Sequence, residues 1–302
     1  MSPRGMRALL AVAEQRSYAA AADVLGLTAP ALHARIRALE NTLGCPLLCR
    51  AEDGRSELTE IGRRVAQAAG DIDVQLARMA EDVAALRAGK AGNVVLGTVS
   101  TAKYFAPMLV QRLRGALPDV DIQLRVGNRQ SVVEGIASGR LDLAIMGRPP
   151  RMPAVEAAVI APHPHVLVAP AGHRLVGLSE VPVAELYGET FLVREEGSGT
   201  RILATRWLDR IGEGFPFGQF EMDSNETIKQ AVLAGMGLAL LSQHTVLQEL
   251  ADGRLHLLRM PGLPILRHWF VVRLPTAPIM PVKGRIWDLV IDLNGAVPMI
   301  GG

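Results

Sequence analysis

The chain has 302 residues, 49% of them hydrophobic, and a formal net charge of +2. That length holds two or more domains with cores of their own, and the near-balanced charge decides neither for nor against a nucleic-acid partner. Cys45 and Cys49 have no histidine or second cysteine pair beside them, which argues against a disulfide framework or a zinc site and fits a reducing cytoplasm. The opening segment "MSPRGMRALLAVAEQRS" lacks a secretory core and cleavage site, and no apolar run reaches membrane-spanning length. The expectation is a soluble cytoplasmic protein with no membrane partner.

The apolar stripe Met6, Leu9, Leu10 and Ala13 predicts a helix from Pro3 to Gln15. Ser17 can cap a second helix, "YAAAADVLG", that Gly26 ends, and Thr28 can cap a third, "APALHARIRALENTLG", with Pro30 in its first turn. In the third helix Leu32, Ile36, Leu39 and Leu43 fall at 4-3-4 spacing and point to a core, while Pro30, His33, Ala34 and Arg37 share the opposite face. Two short helices joined by a tight turn are a helix-turn-helix pattern, whose second helix would enter the DNA major groove. A small β-wing around Asp53-Gly54 would follow, with Arg50 and Arg55 near the backbone. The same spacing also allows a purely structural three-helix bundle.

The run "AVAEQRSYAAAADVLGLTAPALHARIRALENTLGCPLLCR" with the later "LTEIG" resembles the winged helix-turn-helix of LysR-type transcriptional regulators. That pattern contains an alanine pair, a T-Q-P-A-V-S turn, an I-x-x-L-E helix, L-G, L-F-x-R and L-T-x-x-G. Two positions depart from it. Ala29 stands for the usual Gln and His33 for the usual Ser. Alanine cannot make glutamine's bidentate adenine contact, whereas histidine can donate to a guanine or a phosphate. The resemblance implies binding of double-stranded promoter DNA through Thr28, Ala29, Pro30, His33, Arg35, Arg37, Arg50 and Arg55.

Val65, Ala69, Ile72, Leu76, Met79, Val83 and Leu86 repeat at 4-3 spacing, a coiled-coil seam over about three heptads. Either this helix pairs two chains or it packs on its own domain. "RAGKAGN" then reads as a hinge. The expected division is residues 1–62 for the DNA-binding domain, 63–90 for the linker helix and hinge, and 91–302 for an effector-binding domain.

After Gly92, strand-like and helical segments alternate: "NVVLGTVS", "YFAPMLVQRLRGALP", "DIQLRVG", "SVVEGIASG", "LDLAIMG". This predicts βαβ units and a parallel sheet. A second group begins at "HVLVAP" and runs to "LALLS", before "RHWFVVR" returns. Two lobes with a cleft between them follow, lobe I being 91–164 and 269–302 and lobe II 165–268. Ligands bind such sheets at the carboxyl ends of strands. In lobe I those ends carry Ser100, Thr101, Lys103, Asn128, Arg129, Gly147 and Arg148; in lobe II, Arg194, Glu195, Ser198, Gly199, Thr200, Arg201, Ser224 and Asn225. Hydroxyls at helix starts interspersed with cations suit a phosphate or carboxylate. Each Ser, Thr or Asn singly can equally be a plain helix cap.

"VSTAKYFAP", "VGNRQ", "LDLAIMGRPP", "FLVREEGSGTR", "SNETIKQAVLAGMGLALLS" and "GRLHLLRMPGLPILRHWFVV" are similar to one LysR branch, the regulators of Calvin-cycle (RuBisCO) operons. The resemblance implies an α/β chain: a winged helix-turn-helix and linker helix, then two Rossmann-like lobes of the type 2 periplasmic-binding-protein fold. It implies an anionic effector, with ribulose bisphosphate, phosphoenolpyruvate, ATP and NADPH as candidates. It also implies a homodimer through the linker helix, a homotetramer, no cofactor, and action on RNA polymerase.

Ser198 in "EEGSGTR" raises the alternative of a hydrolase. The loop is not a G-x-S-x-G elbow, although His163, His165, His173, His244, His256 and His268 leave a distant base open. A Walker phosphate loop is absent, and "GMGLAL" is too short for a dinucleotide fingerprint. A transport solute-binding protein is the remaining rival, and the residues before Gly89 count against it.

Overall fold

A computed structural model of the chain describes residues 2–51, 55–87, 91–275 and 281–292. The Asp53-Gly54 turn of the expected wing, the centre of the expected hinge and the tail "NGAVPMIGG" lie outside the described residues. The chain divides into two units, residues 1–84 and 85–302.

Local chemistry sets each helix of the first unit. The Ser2 hydroxyl accepts the Gly5 N–H at 3.2 Å and starts α1 (Pro3–Gln15), which ends at Arg16 in the left-handed region. Ser17 caps α2 (Tyr18–Val24) and Thr28 caps α3 (Ala29–Leu43), each accepting an N–H three residues on at 3.4 Å. Gly44, at φ 72°, ends α3 where a side chain would be strained. The inward faces bring Leu9, Val12, Leu32, Ile36, Leu39 and Leu47 into one buried cluster, each worth about 1.5–3 kcal/mol relative to exposure. Strands β1 (Leu48–Arg50) and β2 (Ser56–Leu58) pair antiparallel as the two arms of a wing.

Two polar contacts fix the wing's root. The Glu40 carboxylate accepts the Leu47 N–H at 2.7 Å, and Thr59 donates to the Pro46 carbonyl at 3.0 Å while accepting from Gly62 at 2.9 Å. Gly62 lies in α4 (Glu60–Arg87), whose first turns bring Val65 and Ala66 onto the cluster. Farther along, Ile72, Met79, Val83 and Leu86 of the 4-3 seam stand 41%, 59%, 50% and 63% exposed. Among the described residues that half of the seam is left largely exposed.

In the second unit, β3 (Gly92–Val99) is flanked in parallel by β4 (Val120–Gly127) and β5 (Leu143–Met146). Helices α5 (Ala106–Ala116) and α6 (Arg129–Ala137) make the crossovers. Covered on both faces, β3 is buried almost throughout, and its sequence is apolar apart from Asn93 and Thr98. β6 (Glu156–Pro162) lies at one edge of this sheet. The chain then enters the second lobe through β7 (His165–Pro170), β8 (Thr190–Arg194), α7 (Gly199–Gly212), β9 (Gly218–Met222), α8 (Asn225–Leu233), β10 (Ala239–Ser242), α9 (Gln243–Ala251) and β11 (Leu255–Leu257). It comes back in β12 (His268–Arg273) and closes with α10 (Pro281–Asp292), where Trp287 packs under the Arg273 guanidinium at 4.2 Å.

The sheets are mixed, which corrects the expectation of parallel ones. β12 runs antiparallel to both β5 and β6 in the order β4-β3-β5-β12-β6, because the returning strand re-enters from the opposite end. In the second lobe β7 is antiparallel to β10 and β11, while β8 and β9 are parallel and a single bridge, Phe191–Leu238, joins the two sets. The lobes are linked by two antiparallel crossings hydrogen-bonded to each other. His163 N–H donates to the Arg267 carbonyl at 2.7 Å, and His165 and Ile265 exchange bonds at 3.0 and 2.9 Å.

Candidate functional site

Two surfaces carry the residues singled out from the sequence. On α3, Leu32, Ile36 and Leu39 are buried, so Thr28, Pro30, His33 and Arg37 stand exposed on the other side, with Ala29 and Arg35 half-buried at its flanks. Arg50 and Arg55 are exposed on and beside the wing strands. A depression of about 570 Å³ runs between helix and wing, lined among others by Arg16, Tyr18, His33, Arg50 and Arg55. Its geometry is held by the Ser56 N–H bonding the Arg16 carbonyl at 3.0 Å. A helix with an outward polar face beside a basic wing can enter a groove while the wing meets phosphates.

The second surface is the cleft between the two lobes of the second unit, a cavity of about 710 Å³. Ser100, Thr101, Asn128, Arg129, Gly147 and Arg148 line it from the first lobe, and Ser198, Gly199 and Thr200 from the second. Sequence reasoning missed Gln130, Arg151, Arg206 and Arg267, and treated His163 and His165 only as distant bases; all six line the cavity. A signal existed for Arg206, which follows Gly199 and Leu203 on one face of α7. None existed for His163 and Arg267, which only the pairing of the two interlobe crossings, the lobe hinge, brings together.

The cavity's charge is one-sided. Arg129, Arg148, Arg151, Arg206 and Arg267 face one carboxylate, Glu134, which accepts from Gln130 Nε2 at 3.0 Å. Burial, and then the neighbouring Arg148 guanidinium, push the Arg129 pKa down. Such crowding of like charge is what an anion would relieve. The amino ends of α6 and α7 both open here. Asn128 caps α6, accepting from the Ser131 N–H at 2.9 Å, whereas Ser198 occupies the cap position of α7 without a capping bond from its hydroxyl. The first-turn N–H groups and positive dipole end of α7 therefore face the cavity beside a buried hydroxyl.

Six of the sequence candidates do not line the cavity: Lys103, Arg194, Glu195, Arg201, Asn225 and Ser224, the last a plain cap of α8 that accepts the Thr227 N–H at 3.0 Å. Four of them contribute to, or support, polar contacts across the cleft. Buried Arg194 is paired with Glu195 at 2.6 Å and donates to Ser100 Oγ at 3.2 Å, as does Asn225 Nδ2 at 3.3 Å. Lys103 lies 3.5 Å from Glu226, to which Tyr104 donates at 2.8 Å. Burial works to raise the Glu226 pKa, but hydrogen bonds from Lys229 and Tyr104 outweigh it and bring the group down to about 2. Arg201 instead ties Arg194's carbonyl to Glu221 within the second lobe.

At the hinge, His163 stacks on Trp269 at 3.6 Å, and its Nε2 pairs with Ser242 Oγ at 3.0 Å. Burial, then His165, His244 and Arg267, hold His163 well below the usual imidazole pKa; burial takes His165 down to about 4. Both rings are neutral near pH 7. Among the described residues no hydrogen bond joins Ser198 to an imidazole, so the loop has no assembled base for nucleophilic chemistry.

A winged helix-turn-helix carried on the same chain as a two-lobed ligand-binding fold defines a DNA-binding regulator. The family profile described as "Bacterial regulatory helix-turn-helix protein, lysR family" matches residues 3–63, and that described as "LysR substrate binding domain" matches residues 87–293. The chain belongs to the LysR family of transcriptional regulators, not to an enzyme family. It is 51% identical to the HTH-type transcriptional regulator CbbR of Cereibacter sphaeroides, over 96% of this chain and 94% of that one. It is 36% identical to a RuBisCO operon transcriptional regulator of Allochromatium vinosum, over 97% and 96%. Among solved structures, the Synechocystis CcmR regulatory domain in complex with 2-PG superimposes with a TM-score of 0.63 at 31% identity, over 67% of this chain and 97% of that one. No helix among the described residues is long and apolar enough to cross a membrane.

Proposed function

We propose that this cytoplasmic regulator controls carbon-fixation (RuBisCO, Calvin-cycle) genes in response to a small phosphorylated anion bound in the interlobe cavity. The observation that carries the effector reading is the cavity's composition: five arginines, one glutamate and two helix amino ends. The volume suits a metabolite-sized ligand. The relatives' names support the gene target, and the CcmR domain's partner makes 2-PG the first compound to test beside ribulose bisphosphate, phosphoenolpyruvate, ATP and NADPH. Thr101, Arg129, Arg148, Ser198 and Thr200 would hold the anion. The exposed α4 seam would pair two chains, and pairs would assemble into a tetramer, presenting recognition helices to a palindromic site. An anion that binds the two lobe closures unequally shifts their balance and, through the assembly, the spacing of the winged heads on DNA and the access of RNA polymerase.

The test is a gel shift with the fragment upstream of the neighbouring carbon-fixation operon, with and without each anion. The proposal expects a shifted band whose mobility or affinity changes with at least one phosphorylated compound and not with inorganic chloride at equal ionic strength. A shift indifferent to every compound would remove the effector claim; absence of a shift would remove the gene target.

A further inference from the structure

The HTH unit contains one ring contact that the family pattern does not supply. Tyr18, the first residue of α2, lies flat on His33 of α3, with ring centroids 3.8 Å apart and planes within 7°. His33 is exposed on the outward face of the helix, while Tyr18 is half-buried and packed against the helical core. Both rings line the depression rimmed by Arg16, Arg50 and Arg55. An isolated exposed histidine samples several rotamers, and fixing it on a partner costs conformational entropy. A ring anchored in the core and stacked on the imidazole removes much of that cost before DNA arrives. The stack leaves the edge of the imidazole, where its nitrogens lie, available for in-plane hydrogen bonds.

We propose that Tyr18 is a positioning residue for sequence readout: it holds the His33 imidazole so that its edge meets one base pair in each half-site. This inference rests on α3 being the DNA-reading helix. Burial, then Glu40, raises the Tyr18 pKa, so the phenol stays uncharged beside the DNA backbone. The stacking plane, not the hydroxyl, then carries the effect.

The experiment is selection from a randomised duplex library by the full chain, followed by affinity measurement on single-base variants of the selected site. His33→Ala is expected to flatten the preference at one position per half-site. Tyr18→Leu, which keeps apolar bulk but loses the ring, is expected to flatten that same position, with a loss of about threefold to tenfold there and unchanged ranking elsewhere. Tyr18→Phe should read as wild type, and the double variant His33→Ala with Tyr18→Leu should lose no more discrimination than His33→Ala alone. Melting temperatures of the variants identify any that merely fail to fold. The proposal is overturned if Tyr18→Leu weakens all sites evenly, or if its effect adds fully to that of His33→Ala. A wild-type chain that selects a site insensitive to His33→Ala, Arg37→Ala and Pro30→Gly together would instead remove α3 as the reading helix, and this inference with it.

Discussion

A β-carbon on Gly62 would lie 1.9 Å from the Leu47 carbonyl oxygen, closer than any side chain tolerates. Here α4 passes against the segment that leads into the wing, and the Thr59 hydroxyl fills the remaining polar valence. Gly62→Ala should therefore push wing and helix apart, destabilising the first unit by about 1–3 kcal/mol. Denaturant titration of the full chain would show this as an earlier first transition, and DNA affinity should fall with it. At the hinge, His165 is neutral when folded, with a pKa of about 4 against an unfolded value near 6.5. Because the folded pKa is the lower one, the unfolded chain binds more protons between these values. Stability is fully present above about pH 6.5 and is lost as pH falls toward 4, by roughly 1.4 kcal/mol per unit for each such histidine. Denaturation midpoints of the second unit at pH 7 and 5 should show the drop, and His165→Gln should reduce it, His163 still contributing its own share. An unchanged slope would mean that the ring is not held neutral.

At the scale of elements, α4 has 28 residues, about 42 Å at 1.5 Å per residue. Its outer half carries an apolar stripe that is largely exposed among the described residues. If that stripe pairs chains, Met79→Glu with Val83→Glu sets like charges across the seam and should weaken the dimer at least about tenfold. Sedimentation equilibrium reads this directly, and an unaltered mass would mean that chains associate elsewhere or not at all. The helix-turn-helix was legible in the sequence because its instructions are local: Ser17, Thr28 and Gly44 cap neighbouring residues, and Leu32, Ile36 and Leu39 carry the period. The strand ends that build the cavity were legible for the same reason. Less visible were β6, whose alanine-rich "EAAVIAP" carries little strand signal, and the antiparallel entry of β12, which depends on where a distant segment returns. Lys103, Arg194 and Asn225 looked like ligand-facing residues because they sit at strand ends and helix starts. Whether such a residue faces a cavity or spans a cleft depends on the opposite lobe.

For the second unit taken whole, closure of its lobes is held from two sides. One is where the chain crosses between the lobes, where His163 Nε2 pairs with Ser242 Oγ of the second lobe at 3.0 Å. The other is the set of polar contacts from Ser100 and Tyr104 to Arg194, Asn225 and Glu226. Neither Tyr104 nor Glu226 lines the cavity. Tyr104→Phe removes one cross-lobe hydrogen bond and leaves the cavity lining unchanged. It should lower affinity for all anions by one common factor, about threefold to tenfold, since it changes only the population of the closed form. Unequal factors among anions, seen in parallel calorimetric titrations, would place Tyr104 against the ligand instead.

The proposed anion sensor is the arginine-lined cleft. Calorimetric titration of the full chain with 2-PG and the phosphorylated panel, wild type against Arg129→Ala with Arg148→Ala, tests it most directly. The wild type should bind at least one phosphorylated compound saturably, and the double variant should lose at least about a hundredfold in affinity, two charge-assisted contacts being removed. Equal affinity in both proteins, or no binding by the wild type to any of the compounds, would contradict it.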